Sequence, residues 1–395
     1  MKALVLALAL VQEAAPKQEG PPKTQEIPKA DFEAGYDGGF YVKGKNAKLA
    51  IEGLLQVNGV FFEPDAAHDS EFVLRRMRLE FTGEFFERWY FHIEPKFVSD
   101  GVDLEEAWLG FKVDTHLFMF GRMKEPFSFE EMASQRHMDM INFSILNQFV
   151  PAEDHGITVI GNFDILEYGV GFYNGTGGDD TTSDKDVALR LVLHAWRGLQ
   201  VGGAVTAGRQ EIDVSDEELR TEARVAWATF LPGTEIEDER VRLGAEAAYL
   251  EGPLALSAEL IRIREEVNET TVDLVGGYVQ ASYVLTGEGK TWKGERVRIW
   301  KGVKPDRPFL KDPDVGAWQL VARWSRLEID RDLTPFVTNN PERIDSFTFG
   351  VNWYANEFVK VKVNYLRTVY DEDILLAGKT RDNEDALVFQ LQVMF

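Results

Sequence analysis

From about residue 48 to Phe395 one pattern recurs: apolar and polar residues alternate with a period of two. In the last segment Leu387, Phe389, Leu391, Val393 and Phe395 share one face, opposite Val388, Gln390 and Gln392. Val359, Val361, Val363 and Tyr365 likewise oppose Lys360, Lys362 and Asn364, and Val241, Leu243, Ala245, Ala247 and Tyr249 oppose Arg240, Arg242 and Glu246. Such runs form strands with one apolar and one hydrated face, because successive side chains of an extended backbone point to opposite sides. Roughly 16 or 17 of these segments follow one another, separated by Gly, Asp, Asn and Pro clusters. Either two packed sheets or one closed barrel satisfies the alternation. Long segments such as 71–86, aromatics at segment ends (Trp353, Tyr354, Phe358, Tyr365 and Tyr370) and a final outward Phe395 favour an all-β transmembrane antiparallel barrel. Single-chain bacterial barrels carry even strand numbers, so about 16 strands are expected.

Composition agrees. The mean hydropathy is -0.24, and beyond the N-terminus there is no run of about 20 apolar residues to make a membrane helix. Cysteine is absent, which removes thiolate metal sites, Cys nucleophiles and disulfides together. The net charge of -23 argues against nucleic acid as a partner, since binding it needs a basic face. Residues 1–15 read as a secretory signal: Lys2, an apolar run from Ala3 to Val11, then Ala14 and Ala15. Residues 16–40 read as a flexible Pro-, Glu- and Lys-rich leader, and 41–395 as the barrel. One helix candidate, Phe129 to Leu146, interrupts the strands.

Four blocks carry a family resemblance: FVLRRMRLEFTGEFFERWYF (72–91), LFMFGRMKEPFSFEEM (117–132), YVQASYVLTGEGKTW (278–292) and FGVNWYANEFVKVKVNYLRT (349–368). With them the chain resembles the phosphate-selective porin O and P family over nearly its whole length. The resemblance implies a homotrimeric, 16-stranded porin of the bacterial outer membrane, among outer-membrane lipid and lipopolysaccharide. It also implies a loop after GRMKEPF that folds inward and narrows the pore, a ladder of basic side chains that passes small anions such as phosphate, and no enzymatic chemistry or cofactor.

Alternation places Arg76, Arg78 and Glu80 inside, and Arg190, Arg240, Arg242, Arg323, Lys360 and Lys362 with them. Arg220 and Arg224 alternate with Leu219, Ala223 and Val225 as a further polar face. Strict alternation sends Arg75 to the lipid side. Yet the Arg75–Arg76 pair matches the family's constriction motif, so either a bulge re-aims Arg75 or it lies beyond the apolar band. The expected constriction loop holds Glu125, Glu130, Glu131 and Asp139 against Lys124 and Arg136. Fixed positive charge at a narrow, poorly screened place selects anions. The competing reading pairs each arginine with a carboxylate on the same polar faces, such as Glu80, Glu94, Glu222 or Glu246. Leu54, Tyr90 and Glu131 stand where the family's phosphate-specific members carry basic residues, so a general or cation-preferring porin fits as well. The six histidines are scattered without ligand spacing, no metal site is expected, and no P-loop or nucleophile elbow occurs. A barrel hydrolase and a structural envelope anchor are the readings from other classes.

Overall fold

A computed structural model describes residues 31–63, 68–98, 101–177, 183–293, 299–310 and 315–395. Sixteen antiparallel strands close into one barrel. They are β1 (Ala47–Phe62), β2 (Glu71–Phe85), β3 (Trp89–Val98), β4 (Gly101–Val113), β5 (His116–Lys124), β6 (Glu153–Phe163), β7 (Leu166–Tyr173) and β8 (Asp186–Trp196). There follow β9 (Leu199–Asp213), β10 (Glu235–Glu251), β11 (Leu254–Val267), β12 (Thr270–Val284), β13 (Ala317–Ile329), β14 (Arg343–Tyr354), β15 (Val359–Leu376) and β16 (Lys379–Met394). Closure comes from β16 pairing with β1, from Ala386 opposite Phe62 to Met394 opposite Leu54. It is extended by Gly53 and Phe395, whose amides each donate to the other's carbonyl (2.7 and 3.1 Å). A side chain at position 53 would meet the Phe395 ring at 2.3 Å, so glycine lets the ring lie against the β1 backbone without shifting. Closure matters because an open sheet would present the long edges of its first and last strands to lipid.

The expected signal and most of the expected leader lie outside the described residues. Phe32–Tyr36, inside the stretch read as leader, is instead a strand that pairs with Phe40–Gly44, and that strand in turn joins β1.

Alternation sorts the two faces as read from sequence. On β16 Leu387, Phe389 and Leu391 are exposed outward, while Val388, Gln390 and Gln392 are fully buried inward. At the end that carries Phe395, most strands join by two- to four-residue turns, as after β4, β6, β8 and β10. Aromatic side chains cluster there, for example Tyr36 on Phe358 (5.4 Å), Phe40 on Phe395 (5.7 Å) and Trp318 stacked on Trp353 (5.9 Å). Amphipathic rings of this kind settle at the lipid headgroup level.

Among the described residues, segments of three connections enter the lumen. Residues 125–152 join β5 to β6, and residues 214–234 join β9 to β10 and contain a short hairpin, Glu218–Arg220 with Ala226–Thr229. Both come from the long-loop end, whereas the described part of the 285–316 connection, between β12 and β13, comes from the Phe395 end. Arg220 and Arg224 therefore sit on the lumenal insert and not on a wall strand. The insert brings its own apolar side: Trp227, Val225 and Leu219 pack with Ile145, Leu146, Ile261, Leu274, Leu327 and Ile344 in one buried cluster. The lumen next to β11–β16 is thus a small hydrophobic core, where inward residues are apolar because a protein segment covers them.

The single helix expected over Phe129–Leu146 is not formed. Only Phe129–Met132 is α-helical, with a 3-10 turn at Ile145–Phe149. Wall side chains capture the backbone groups between them. Lys360 donates to the Arg136 carbonyl (2.7 Å), Lys362 to those of Met138 (2.8 Å) and Met140 (3.0 Å), and the Ile141 amide donates to Asn364 (2.9 Å). These bonds satisfy the peptide groups without helical pairing.

Candidate functional site

The 125–152 loop is nailed across the barrel. Glu259 of β11 caps its helical turn, accepting from the amides of Phe129 (2.8 Å) and Glu130 (2.9 Å) and from the Tyr278 hydroxyl (2.8 Å). Arg323 of β13 forks between Glu130 (2.8 Å) and Glu222 of the second insert (2.7 Å) and donates to the Asn142 carbonyl (3.0 Å). Asp139 receives Lys290 from the 285–316 connection, and Phe129 meets Trp300 edge-on at 5.1 Å. All three inserts therefore meet around one loop.

The cations expected to face the lumen fall into two groups. Most are neutralised. Arg78 pairs with Glu94 (3.0 Å) and Glu105, Lys124 with Glu131 (3.1 Å) and Glu153 (3.9 Å), and Arg136 with Glu80 (2.8 Å) and Glu52 (3.7 Å). Arg190 is held by Glu246 (2.6 Å) and Glu167 (3.2 Å), Arg240 and Arg242 share Asp186 (3.1 and 3.7 Å), and Arg323 is doubly paired as above. Lys360 and Lys362 are spent on loop carbonyls. Among the described residues, Arg75, Arg76 and Arg224 form no ion pair. Arg76 is buried, donates to Gln56 (2.9 Å) and lies 5.8 Å over the Phe143 ring.

Arg75 reaches this group through a register shift. The β1–β2 ladder passes from Gln56 opposite Arg76 to Val57 opposite Leu74, which leaves Arg75 as the extra residue of a bulge. Arg75, Arg220, Arg224 and Asn142 together line two adjoining cavities of ≈ 530 and ≈ 260 Å³. Arg224 holds a left-handed backbone (φ 68°), a costly conformation for a side-chain-bearing residue. Partial desolvation, then the charge of Arg220, lowers the Arg224 guanidinium below its ordinary value, against an opposing pull from Glu218. Arg220 is partly compensated by exposed Glu218.

Of the loop carboxylates, Glu130, Glu131 and Asp139 are consumed by Arg323, Lys124 and Lys290. Glu125 has no ion pair among the described residues, and burial pushes its carboxyl up to about 8 beside Arg242, Asp186, Asp154 and Arg240. It is a neutral acid at lower pH and an anion above that value. Anion preference is therefore expected to fall as pH rises through about 8, and Glu125→Gln to reduce the change. Reversal potentials recorded on either side of that pH check this.

A closed 16-stranded barrel with an apolar outer wall, a charged lumen and an inward-folded loop defines an outer-membrane porin. The family described as phosphate-selective porin O and P matches residues 56–395, and the chain belongs to it. Porin O of Pseudomonas aeruginosa is 23% identical over 306 residues, 75% of this chain; the match spans 63% of that relative's length. Among solved structures, OmpT of Vibrio cholerae superposes with a TM-score of 0.57 at 11% identity, covering 90% of this chain and 100% of that one. The anion-selective porin from Comamonas acidovorans gives 0.56 at 12% identity, covering 88% and 100%. At such identities the likeness is one of fold.

Proposed function

We propose that the protein forms a passive, anion-preferring channel for small solutes such as phosphate, without a covalent step, and works as a homotrimer. The observation that carries this is the convergence of Arg75 and Arg224, neither in an ion pair among the described residues, with Arg220 on the two cavities beside the inward loop, while unpaired Arg76 adjoins Arg75 on β2. A guanidinium offers phosphate two parallel hydrogen bonds, and each charge-assisted bond contributes roughly 1.5–3 kcal/mol. The relatives' names support the reading: the family is described as phosphate-selective and the Comamonas structure as anion-selective. One Vibrio OmpT structure is described as a trimer form. The overall excess of acid does not by itself oppose it, because Glu130, Glu222, Glu246 and Asp186 are each paired with an arginine in the lumen. Strict phosphate specificity has weaker support, since Leu54, Tyr90 and Glu131 replace basic residues and Glu131 neutralises Lys124.

Swelling of liposomes that contain the purified protein tests the channel. Entry of a phosphate salt faster than of a neutral sugar of similar size is expected. Equal rates would mean a general porin, and no swelling would remove the channel itself.

A further inference from the structure

We propose that His92, Glu94 and Glu106 form a lumenal binding site for a borderline divalent cation, represented by Zn²⁺. The ladder brings it together: Glu94 of β3 stands directly opposite Glu106 of β4, and His92 lies two residues before Glu94 on the same inward face. One ligand atom from each of the three lies within 4.8 Å of the others, and His92 Nε2 is 3.5 Å from Glu94 Oε2. Around a tetrahedral zinc with bonds of about 2.0–2.1 Å, neighbouring ligand atoms sit about 3.3 Å apart, so closing the triangle needs side-chain shifts of only about 1 Å.

Each ligand is already oriented by a second partner. The Thr82 hydroxyl meets His92 Nδ1 at 3.2 Å, which directs Nε2 toward the carboxylates, and the imidazole stacks on Trp108 at 5.6 Å. Arg78 holds the other oxygen of Glu94 (3.0 Å), and the Trp108 indole donates to Glu106 (3.1 Å). Such partners around the ligands are what a metal site requires to keep its geometry.

The surroundings favour a cation. A bulge at Glu105 turns adjacent carboxylates of β4, Glu105 and Glu106, into the lumen. With Glu80, Glu94, Glu131 and Glu153 they outnumber the local cations Arg78, Lys96 and Lys124. Glu80 is partly engaged by Arg136. One imidazole with two carboxylates, in a chain without thiols, suits zinc and its neighbours better than magnesium or calcium. Three protein ligands leave one coordination position open. The His92 side chain is 13% exposed, so the site is reachable. Occupation adds two positive charges to an otherwise acidic stretch of wall, next to Arg78, which lies one inward position from Arg76. The cation therefore strengthens anion preference.

Isothermal titration of the detergent-solubilised full-length protein with ZnCl₂, after chelator treatment, tests the site. One zinc per chain is expected, with MgCl₂ at least about tenfold weaker. His92→Gln and Glu106→Gln are each expected to weaken zinc at least about tenfold, in line with the loss of one ligand. Cu²⁺ in the wild-type protein supplies a readout that needs no variant: its electron paramagnetic resonance spectrum should show nitrogen coupling from one imidazole. Unchanged zinc affinity in both variants, magnesium binding as strong as zinc, or an all-oxygen copper spectrum would overturn the assignment.

Discussion

Replacing Arg75, Arg76 and Arg224 together by glutamine is expected to raise the phosphate concentration that half-blocks chloride current by at least about tenfold. The estimate follows from the roughly 1.5–3 kcal/mol of one hydrogen bond to a charged group, each kcal/mol being about a fivefold change. These three are chosen because, unlike Arg190 or Arg323, they carry no carboxylate whose exposure would complicate the result. Single-channel recording with stepwise phosphate measures the effect. The exposed, outward-facing Arg262→Gln should leave the block unchanged. A triple variant that is blocked like the wild type would place the anion route elsewhere.

The second large effect is expected at Arg323. Its guanidinium is almost wholly buried between Glu130 and Glu222. Glu222 also receives Thr348 (2.8 Å) and Ser325, so one arginine locks the constriction loop, the second insert and two wall strands. Arg323→Met leaves two buried carboxylates without their cation. Removing one partner of a buried pair costs roughly 3–5 kcal/mol. Because the barrel ladder itself is untouched, the loss should fall on the inserts: a larger and noisier open-channel current, with faster proteolysis within 125–152 and 214–234. A variant with wild-type current noise and the same proteolytic pattern would show that the loop is held by its other anchors alone.

The wall of this barrel was legible in the sequence because its rule is local. A residue such as Phe389 must face lipid while Gln390 faces the lumen, and nothing beyond its neighbours is needed to say so. The inward loop and its carboxylates were legible through the GRMKEPF block. What lay beyond reach was whatever depended on pairing across strands or on covering segments. The aim of Arg75 turned on the register shift opposite Gln56 and Val57, which no single-strand pattern encodes. Arg220 and Arg224 alternate like a wall strand, yet belong to an insert whose Trp227 needs Ile261 and Leu327 to bury it. The helical pattern of Phe129–Leu146 was overridden because Lys360, Lys362 and Asn364, more than two hundred residues away, compete for its peptide groups. His92, Glu94 and Glu106 show no ligand spacing along the chain, since the ladder sets Glu94 against Glu106. Which arginines are free is a property of the assembled lumen and not of composition.

The most direct test of the account is the reversal potential of the purified wild-type channel in a planar bilayer under a potassium chloride gradient. The free arginines behind the loop predict a potential displaced toward the chloride equilibrium value. Displacement toward the potassium value would mean that the acidic wall of β3 and β4 governs the pore, contradicting the role assigned to Arg75, Arg76 and Arg224.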